Sequence, residues 1–461
     1  MSLHRSIQDV CVVGGGPAGA TVSRRLAQLG YRVCLIERQD GSRQPAAEAL
    51  PSSIRGPLEQ LDLWEGLEQV GYLRCDRMRA RWRDEAASQQ DNAAIIVDRT
   101  LFDRFLIEAA RKAGVTVLCP ARARRPAFVD ERWVIPIDAR DARALVVEAQ
   151  FLVDAMGRRG GCRPAGAPTI ALCGRWQGKV SSSPAEMCID AGEHAWFWAA
   201  PLSHDSATAQ VFIHPQSYTR RGAADCATLY RTLLDQSRLA REFLRGLSLA
   251  DIRIRDATFR VDNETVTPNS IKVGDRAFAM DPLSSQGVQA AIRSGLQASA
   301  VIHTILRRAD LEAALEFYRA TLQGAVKVHD RHASEVYASQ ALYTSSFWQS
   351  RSSTRSLDEK KPAASIRISD NPELMLSQNA RLIALPVIEG DEIRRRTALT
   401  HPGLERPVAW LGGVPLGTVL SAIGSKRPAA SILAEWSGQT TPAQAHALLD
   451  WMIAREILVN A

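Results

Sequence analysis

The sequence predicts an α/β protein built around a Rossmann-like nucleotide-binding domain. Three observations lead to this fold class. A short apolar strand at residues 9–13 runs directly into a Gly-x-Gly-x-x-Gly turn at 14–19. A second strand at 31–36 ends on Glu37, and a third strand at 271–273 ends on Gly-Asp. The chain of 461 residues, 46% of them hydrophobic, is long enough for two or three packed domains.

The glycine turn has the spacing of a loop that binds a pyrophosphate. Gly14 permits the tight turn, Gly16 lets the backbone approach a phosphate, and Gly19 allows the next helix to pack closely on the strand. That helix opens at Pro17-Ala18, so its positive N-terminal end faces the same phosphates. These five residues are therefore predicted to contact a dinucleotide.

The second strand supplies the acidic residue that such a site needs. Glu37 is placed to accept hydrogen bonds from ribose hydroxyls, and Arg38 follows it as a further predicted cofactor contact. A glycine turn alone is weak evidence, because glycine-rich turns without a ligand are common. The combination of strand, turn, helix and acid favours the nucleotide site.

A second motif follows the strand at 271–273. Gly274-Asp275 ends that strand, and residues 281–287, Asp-Pro-Leu-Ser-Ser-Gln-Gly, lead into an apolar helix. The helix start offers backbone N–H donors and a positive end, which stabilise negative charge on a ligand. This stretch resembles the second motif of a known FAD-binding family, and the contacts that this resemblance implies are Asp275, Pro282, Gly287 and Val288.

These motifs, in this order, resemble the FAD site of the flavin monooxygenase and halogenase superfamily. Residues 98–106, Asp-Arg-Thr-Leu-Phe-Asp-Arg-Phe-Leu, are similar to its Asp-Arg-x-x-Phe-Asp-x-x-Leu segment, whose arginine, here Arg99, contacts the cofactor. In that superfamily the aspartate of the second motif, here Asp275, binds the ribitol chain. The resemblance implies FAD as cofactor and an FAD-dependent oxidoreductase of monooxygenase type. Without the resemblance, Asp98 is an ordinary helix cap and Arg99 a solvated first-turn residue.

Residues 154–159, Asp-Ala-Met-Gly-Arg-Arg, depart from the Asp-Gly motif with which many members of this superfamily also handle a pyridine nucleotide. The electron donor therefore stays open between NADPH, NADH and reduced flavin from a partner reductase.

The FAD-binding domain is predicted to be discontinuous. Alternating apolar and polar residues at 209–214 and 251–255 predict an antiparallel sheet in the inserted substrate domain. A segment rich in Ser, Arg, Lys and Pro at 350–372 predicts a linker. The predicted divisions are 1–75, 95–165 and 265–345 for the FAD-binding domain, 76–94 and 166–264 for the substrate domain, and 373–461 for a C-terminal module.

The C-terminal module resembles a small winged-helix-like or peptide-recognition unit. Apolar spacing predicts helices at 415–423, 429–436 and 442–455 and a closing strand at 457–459. Its positive and negative charges balance, whereas a DNA-binding module needs a basic face. We therefore expect a protein or peptide partner and no nucleic acid.

Composition narrows the function further. The net charge of +7 is not clustered, and the eight cysteines form no Cys-x-x-Cys pair or metal-ligand spacing. We expect no metal site and no disulfide framework. The first strand begins close to Met1, and no apolar run approaches the roughly 20 residues that span a bilayer. A cytoplasmic protein without membrane contact is expected.

Two segments are candidates for the substrate side of the site. Residues 196–201, Trp-Phe-Trp-Ala-Ala-Pro, resemble the Trp-x-Trp-x-Ile-Pro signature of flavin-dependent halogenases, with Ala200 in place of isoleucine. Trp196 and Trp198 are predicted to line the substrate pocket, although aromatic strand residues more often form core. Glu48 lies where members of the superfamily have a strap, a segment that passes along the flavin. It is a candidate catalytic acid or base, and the alternative is a solvated loop glutamate.

Three reactions fit these motifs: hydroxylation of an aromatic substrate, halogenation of an indole or phenol, and reduction of an isoprenoid double bond. Halogenases of this superfamily depend on a lysine shortly after the glycine motif, and the first lysine here is Lys112. Hydroxylation is therefore favoured. Over nearly the whole chain the motif order resembles flavin monooxygenases that mature tryptophylquinone enzymes. This implies a protein subunit carrying a tryptophan as substrate, with molecular oxygen and a reductant or flavin reductase as partners.

Overall fold

The fold is taken from a computed structural model. It describes residues 4–39, 46–139, 145–158, 162–180, 185–218, 223–352, 371–404, 406–421, 423 and 426–461. Most of the predicted linker at 350–372 and Arg159 of the 154–159 segment lie outside the described residues. The chain divides into two compact units, residues 1–303 with 325–354 and residues 304–324 with 355–461.

The strands of the first unit mostly belong to two large sheets. In chain order they are β1 (His4–Val13), β2 (Val33–Ile36), β3 (Ala47–Leu50), β4 (Leu73–Arg81), β5 (Ser88–Asp98), β6 (Thr116–Leu118), β7 (Ala121–Ala123), β8 (Ala127–Val129), β9 (Arg132–Ala139), β10 (Leu145–Asp154), β11 (Arg163–Pro164), β12 (Ile170–Gln177), β13 (Glu186–Ala191), β14 (Ala195–Ser203), β15 (Ser206–Ile213), β16 (Ser248–Asp256), β17 (Arg260–Val261), β18 (Val266–Thr267), β19 (Ser270–Lys272) and β20 (Phe278–Ala279).

The helices pack on these sheets and in the second unit. In chain order they are α1 (Pro17–Gln28), α2 (Arg55–Glu59), α3 (Trp64–Val70), α4 (Arg99–Lys112), α5 (Ala223–Leu234), α6 (Arg238–Phe243), α7 (Gly287–Leu306), α8 (Leu311–Ala338), α9 (Ser346–Gln349), α10 (Leu416–Ser421), α11 (Ala429–Ser437) and α12 (Pro442–Ile453). Short 3₁₀ helices cover Ser52–Ile54, Pro215–Ser217, Gly274–Arg276 and Pro282–Ser284.

The first sheet is the predicted Rossmann-like sheet. Its main path runs β18-β19-β10-β1-β2-β6, and β1 pairs in parallel with both β10 and β2. Val10, Cys11 and Val12 in the middle of β1 are fully buried, as expected of a parallel strand covered on both faces. The strand at 271–273 is found as β19, which pairs in parallel with β10. The predicted α/β class with a Rossmann-like parallel sheet is confirmed.

The second sheet is mixed and not purely antiparallel. Its order is β16-β12-β15-β14-β13-β4-β5-β3, and every pair is antiparallel except β13 with β4. Parallel neighbours need a long connection, and the chain between β4 and β13 supplies one. The alternation at 209–214 and 251–255, which lie in β15 and β16, could not reveal this pair. The sheet also includes β3, whose residues lie in the predicted FAD-binding domain. Membership of this sheet therefore does not coincide with the predicted division into domains, and that division stays a prediction.

The second unit has a core of its own. In chain order its strands are β21 (Glu373–Leu376), β22 (Arg381–Glu389), β23 (Glu392–Thr400), β24 (Trp410–Leu411), β25 (Val414–Pro415), β26 (Arg427–Pro428) and β27 (Leu458–Asn460). Strands β26, β21 and β27 form one sheet in this order, and β22 with β23 and β24 with β25 form hairpins. The core surrounds Trp436, which is 1% exposed. The predicted helices correspond to α10, α11 and α12.

None of the helices in the described ranges combines the length and the apolar character required to cross a bilayer.

Candidate cofactor site

The glycines of the first motif fall into two classes. Gly14 has a positive φ of 111°, and a Cβ on it would lie 2.3 Å from the Ala155 carbonyl oxygen. A Cβ on Gly19 would lie 1.9 Å from the Gly14 carbonyl oxygen. A Cβ on Gly16 would meet no described atom within 4 Å. Gly14 and Gly19 are therefore needed by the fold, whereas Gly16 borders open space.

That open space lies at the N-terminus of α1. Gly16 is the N-cap of this helix, Pro17 is its first residue, and the first turn carries no acidic side chain. Pro17 and Ala18 are buried. The unpaired N–H groups and the positive helix end suit an anion such as a pyrophosphate.

The Glu37 carboxylate is held beside the same turn. Its Oε2 accepts a hydrogen bond of 2.6 Å from the Gly15 N–H, and its Oε1 accepts one of 2.8 Å from the Gln39 N–H. A cavity of about 400 Å³ adjoins it and is lined by the glycine turn, Glu37 and one face of α4 that includes Asp103 and Arg104. This volume lies within the range of small-molecule sites. The neighbouring Arg38 side chain is exposed.

Arg99 joins the 98–106 segment to the strand that carries Glu48. Asp98 caps α4 by accepting a hydrogen bond from the Thr100 N–H at 2.7 Å. Arg99 Nη1 donates to Glu48 Oε2 at 2.9 Å, and its Nη2 lies 3.1 Å from Asp103 Oδ1. Burial lowers the pKa of Arg99, but the two carboxylates outweigh it and keep the arginine charged. Glu48 is thus an ion-pair partner on β3.

The two glycine-containing motifs meet in the structure. Gly274 has a positive φ of 58°, and a Cβ on it would lie 2.8 Å from the Ala18 Cβ on α1. The Val273 N–H donates to the Asp154 carbonyl oxygen at 3.0 Å, which ties the second motif to the end of β10. Residues far apart in sequence therefore form one site.

Arg158 is a residue of this site that no sequence motif identifies. Its Nε donates to Asp275 Oδ2 at 3.2 Å, and its two terminal nitrogens donate to the carbonyl oxygens of Thr258 at 2.6 Å and Met280 at 2.8 Å. It belongs to the 154–159 segment, which was noted only for departing from a pyridine-nucleotide motif. Asp275, the predicted ribitol contact, is thus oriented by a guanidinium.

The Asp-Pro-Leu loop bends sharply before α7. Pro282 begins a 3₁₀ turn, Ser285 has a positive φ of 49°, and α7 starts at Gly287. Val288 is 5% exposed and packs in a hydrophobic cluster that includes Leu50 of β3. The loop thus leads from the second motif to a helix N-terminus, as expected for an anion-stabilising site.

The two predicted pocket tryptophans lie on β14. Trp196 is 2% exposed and stacks on Phe212, with ring centroids 3.7 Å apart and 9° between the planes. Trp198, two residues along the same strand, is half-buried against the same aromatic cluster. Their role as substrate contacts remains a prediction.

Comparisons with known proteins agree with this geometry. The FAD binding domain family matches residues 8–171. Tryptophan 2-halogenase of Chondromyces crocatus is 28% identical over 345 residues, which cover 69% of this chain and 66% of that protein. The match thus spans slightly less than two thirds of this relative.

Two solved structures share the fold over nearly the whole chain. A peptidyl tryptophan dihydroxylase, QhpG, essential for tryptophylquinone cofactor biogenesis, has a TM-score of 0.76 at 24% identity and covers 98% of this chain and 99% of its own. CmlS, a flavin-dependent halogenase, has a TM-score of 0.80 at 20% identity, and the match covers 99% of this chain and 96% of CmlS. This chain is thus similar in sequence and in fold to members of the flavin monooxygenase and halogenase superfamily. Its cofactor is FAD.

The residues present fit this cofactor. Open space at Gly16 and a helix N-terminus without acidic residues suit the pyrophosphate, and the carboxylate of Glu37 borders a cavity of ligand size. Members of this superfamily of FAD-dependent oxidoreductases include both oxygenases and halogenases, and both kinds match this chain.

Proposed function

We propose that this protein is an FAD-dependent monooxygenase that hydroxylates a tryptophan side chain of a protein or peptide during tryptophylquinone cofactor biogenesis. Molecular oxygen is the co-substrate, and a reductant or a flavin reductase supplies electrons. QhpG, whose fold extends over 98% of this chain, supports the choice of a peptidyl substrate.

In this proposal each motif has one task. Gly16 and the start of α1 hold the pyrophosphate, Glu37 accepts hydrogen bonds from the adenosine ribose, and Asp275 accepts them from the ribitol chain. Arg99 neutralises nearby carboxylates at the strap that carries Glu48. The further proposed contacts are Gly14, Pro17, Ala18, Gly19, Arg38, Pro282, Gly287 and Val288.

Bound FAD supplies the redox chemistry that activates oxygen, and the chain supplies position and dryness. The start of α7 places donors and a positive helix end where negative charge on the reduced cofactor is stabilised. Of the two tryptophans on β14, the half-buried Trp198 is the one that contacts an indole ring in this proposal, and the buried Trp196 supports that wall from the core.

The observation that carries hydroxylation over halogenation is the distribution of lysines. No lysine precedes Lys112, which is exposed in the last turn of α4. Among the described residues, Lys179 and Lys327 are also exposed, Lys272 is paired with Asp262 at 2.8 Å, and Lys426 of the second unit is exposed and paired with Glu373. A lysine that carries a hypohalous acid equivalent must lie in a dry site close to the flavin, and these positions do not offer one.

The proposal is tested by mass spectrometry of tryptophan-containing polypeptides after incubation with the protein, a reductant and oxygen. One or two oxygen atoms added to tryptophan, derived from isotopically labelled O₂, is the expected result. Free tryptophan tested in parallel distinguishes a peptidyl substrate from a small molecule. Turnover of free tryptophan alone would contradict the peptidyl substrate.

Halogenation is the second candidate, because the Trp-x-Trp segment and the 28% identical tryptophan halogenase both favour it. We expect the rate and the products of turnover to be unchanged by bromide or chloride, since none of the lysines in the described ranges is both buried and unpaired, as holding the halogen would require. The isotope pattern of the product provides the measurement. A brominated or chlorinated indole would replace hydroxylation by halogenation.

A further inference from the structure

Asp281, the first residue of the Asp-Pro-Leu loop, is fixed at two points by side chains of α8. Its backbone N–H donates to His329 Nε2 at 2.9 Å. Its carboxylate accepts a hydrogen bond from the Tyr337 hydroxyl, which lies 3.1 and 3.2 Å from the two oxygens. Asp281, His329 and Tyr337 are 8%, 3% and 2% exposed, so water replaces neither contact.

The Asp281 carboxylate in turn sets the path of the loop. Asp281 Oδ1 accepts a hydrogen bond from the Leu283 N–H at 3.0 Å, and the backbone carbonyl oxygen of Asp281 accepts one from the Ser284 hydroxyl at 3.0 Å. The next residue, Ser285, has a φ of 49°, a left-handed conformation that a serine adopts only at some cost in free energy. A strained turn of this kind persists only where surrounding contacts impose it, and Asp281 makes those contacts.

Tyr337 is itself held in a rigid aromatic setting. It packs with Trp196, Phe347 and Trp348 in one buried cluster. Burial, and secondly the charge of the Asp281 carboxylate, raise the pKa of Tyr337 well above its usual value, so the hydroxyl keeps the proton that it donates to Asp281. Phe347 also stacks against the Arg351 guanidinium, 3.8 Å from its ring. The hydroxyl that holds Asp281 therefore cannot turn away from it.

His329 acts in this arrangement as a hydrogen-bond acceptor. Because its Nε2 accepts from the Asp281 N–H, the imidazole is neutral and carries its proton on Nδ1. The ring makes T-shaped contacts with Phe259 and Phe278, whose centroids lie 5.0 and 5.4 Å away. A glutamine oxygen can replace Nε2 as acceptor, whereas a leucine cannot.

We propose that His329 and Tyr337 are positioning residues for FAD, which preform the Asp281–Gly287 loop so that its backbone donors and the start of α7 meet the flavin without reorganisation. The inference rests on the FAD site and not on the choice between hydroxylation and halogenation. Removing either contact leaves a buried group of Asp281 without its partner and allows the loop to relax. A preformed loop binds its ligand more tightly because less order must be imposed on binding.

The test is titration of FAD into the full-length, flavin-free chain for four variants. Tyr337→Phe and His329→Leu are expected to raise the Kd for FAD by about 10- to 100-fold, in line with hydrogen bonds that involve a charged or buried group. His329→Gln is expected to restore the Kd to within about threefold of the unmodified protein. The shape of the bound-flavin absorbance bands is expected to change in the first two variants only.

Tyr230→Phe is the matched control. The Tyr230 hydroxyl is also fully buried, donates to the Ala209 carbonyl oxygen at 2.9 Å and lies 3.0 Å from the Trp176 Nε1, but it belongs to the α5 side of the second sheet. It should lower thermal stability and leave the Kd for FAD unchanged. The proposal is overturned if His329→Gln binds FAD as poorly as His329→Leu, or if Tyr337→Phe affects FAD no more than Tyr230→Phe. Should Tyr337→Phe fail to fold, the two His329 variants decide.

Discussion

At the scale of single residues, the glycines of the first motif serve different purposes although they form one sequence pattern. Gly14 and Gly19 are required by backbone contacts inside the protein, while Gly16 borders space that no described atom fills. The pattern alone predicts a tight turn near a phosphate, but only coordinates separate the glycines that the fold needs from the one that the ligand needs.

This distinction predicts the effect of two otherwise similar variants. Gly16→Val should fold with a melting temperature within a few degrees of the unmodified protein yet retain no FAD, because its side chain occupies the place of the pyrophosphate. Gly19→Val should fail to fold, because its Cβ would overlap the Gly14 carbonyl. Flavin absorbance and thermal melting of both variants provide the measurement. A yellow Gly16→Val protein would show that the phosphate does not bind at this turn.

His329 predicts a dependence of stability on pH. Burial, and secondly the charge of His332, lower the pKa of His329 from 6.5 to about 4. The unfolded chain therefore binds a proton between these values that the folded chain does not. Stability should be full above about pH 6.5 and should fall as the pH drops toward 4, by up to about 3 kcal/mol from this residue.

Urea denaturation of the flavin-free chain at about pH 7 and pH 5 measures this effect. The imidazole accepts a hydrogen bond from the backbone of Asp281, whose carboxyl group also titrates with a pKa raised by burial. A variant is therefore needed to separate the contribution of His329 from that of Asp281. His329→Gln removes the titration and should lose less stability than the unmodified protein over the same interval. Equal losses would mean that His329 is protonated in the folded state.

At the scale of elements, the parts of the site that carry a sequence signature were predictable. The strand at 9–13, the helix after it and the strand at 271–273 are present as β1, α1 and β19, because their apolar runs and glycine spacing are local properties. The parallel pair β13 with β4 was not predictable, since alternation within a strand does not identify its neighbour. Arg158 and Tyr337 were missed for a related reason: their partners are set by tertiary contacts.

The contact between Arg158 and Asp275 predicts a non-additive pair of variants. Asp275→Ala should weaken FAD binding by about 1 to 3 kcal/mol, because the ribitol chain loses an acceptor. Arg158→Met should have a smaller effect, since Asp275 remains but is less well oriented. Adding Arg158→Met to Asp275→Ala should then cost little more, as measured by FAD titration. Full additivity would show that Arg158 acts on the cofactor independently of Asp275.

At the scale of the whole molecule, the second unit poses the clearest functional question. The apolar residues of its hydrophobic core all lie between Leu374 and Leu458, so this part of the chain packs on itself. None of the proposed FAD contacts comes from this stretch. A separate module that holds a polypeptide raises the effective concentration of a tryptophan at the flavin, which an enzyme for small molecules does not need.

We therefore predict that a chain ending at about residue 370 keeps its FAD spectrum but loses binding and turnover of a polypeptide substrate. Flavin absorbance, pull-down of the polypeptide and mass spectrometry of its tryptophan are the three measurements. Retention of the FAD spectrum serves as the control for folding. A shortened chain that binds and oxidises the polypeptide normally would assign the module a structural role.

The meeting of Ala18 with Gly274 also bears on how the protein is made. The first motif leaves the ribosome long before the second, and β10 can pair with β19 only after some 270 residues have been synthesised. A nascent chain can therefore offer the phosphate turn early but cannot enclose FAD until α7 has emerged. Because FAD binds the folded chain, we expect it to stabilise the completed protein and to leave the early folding steps unaffected.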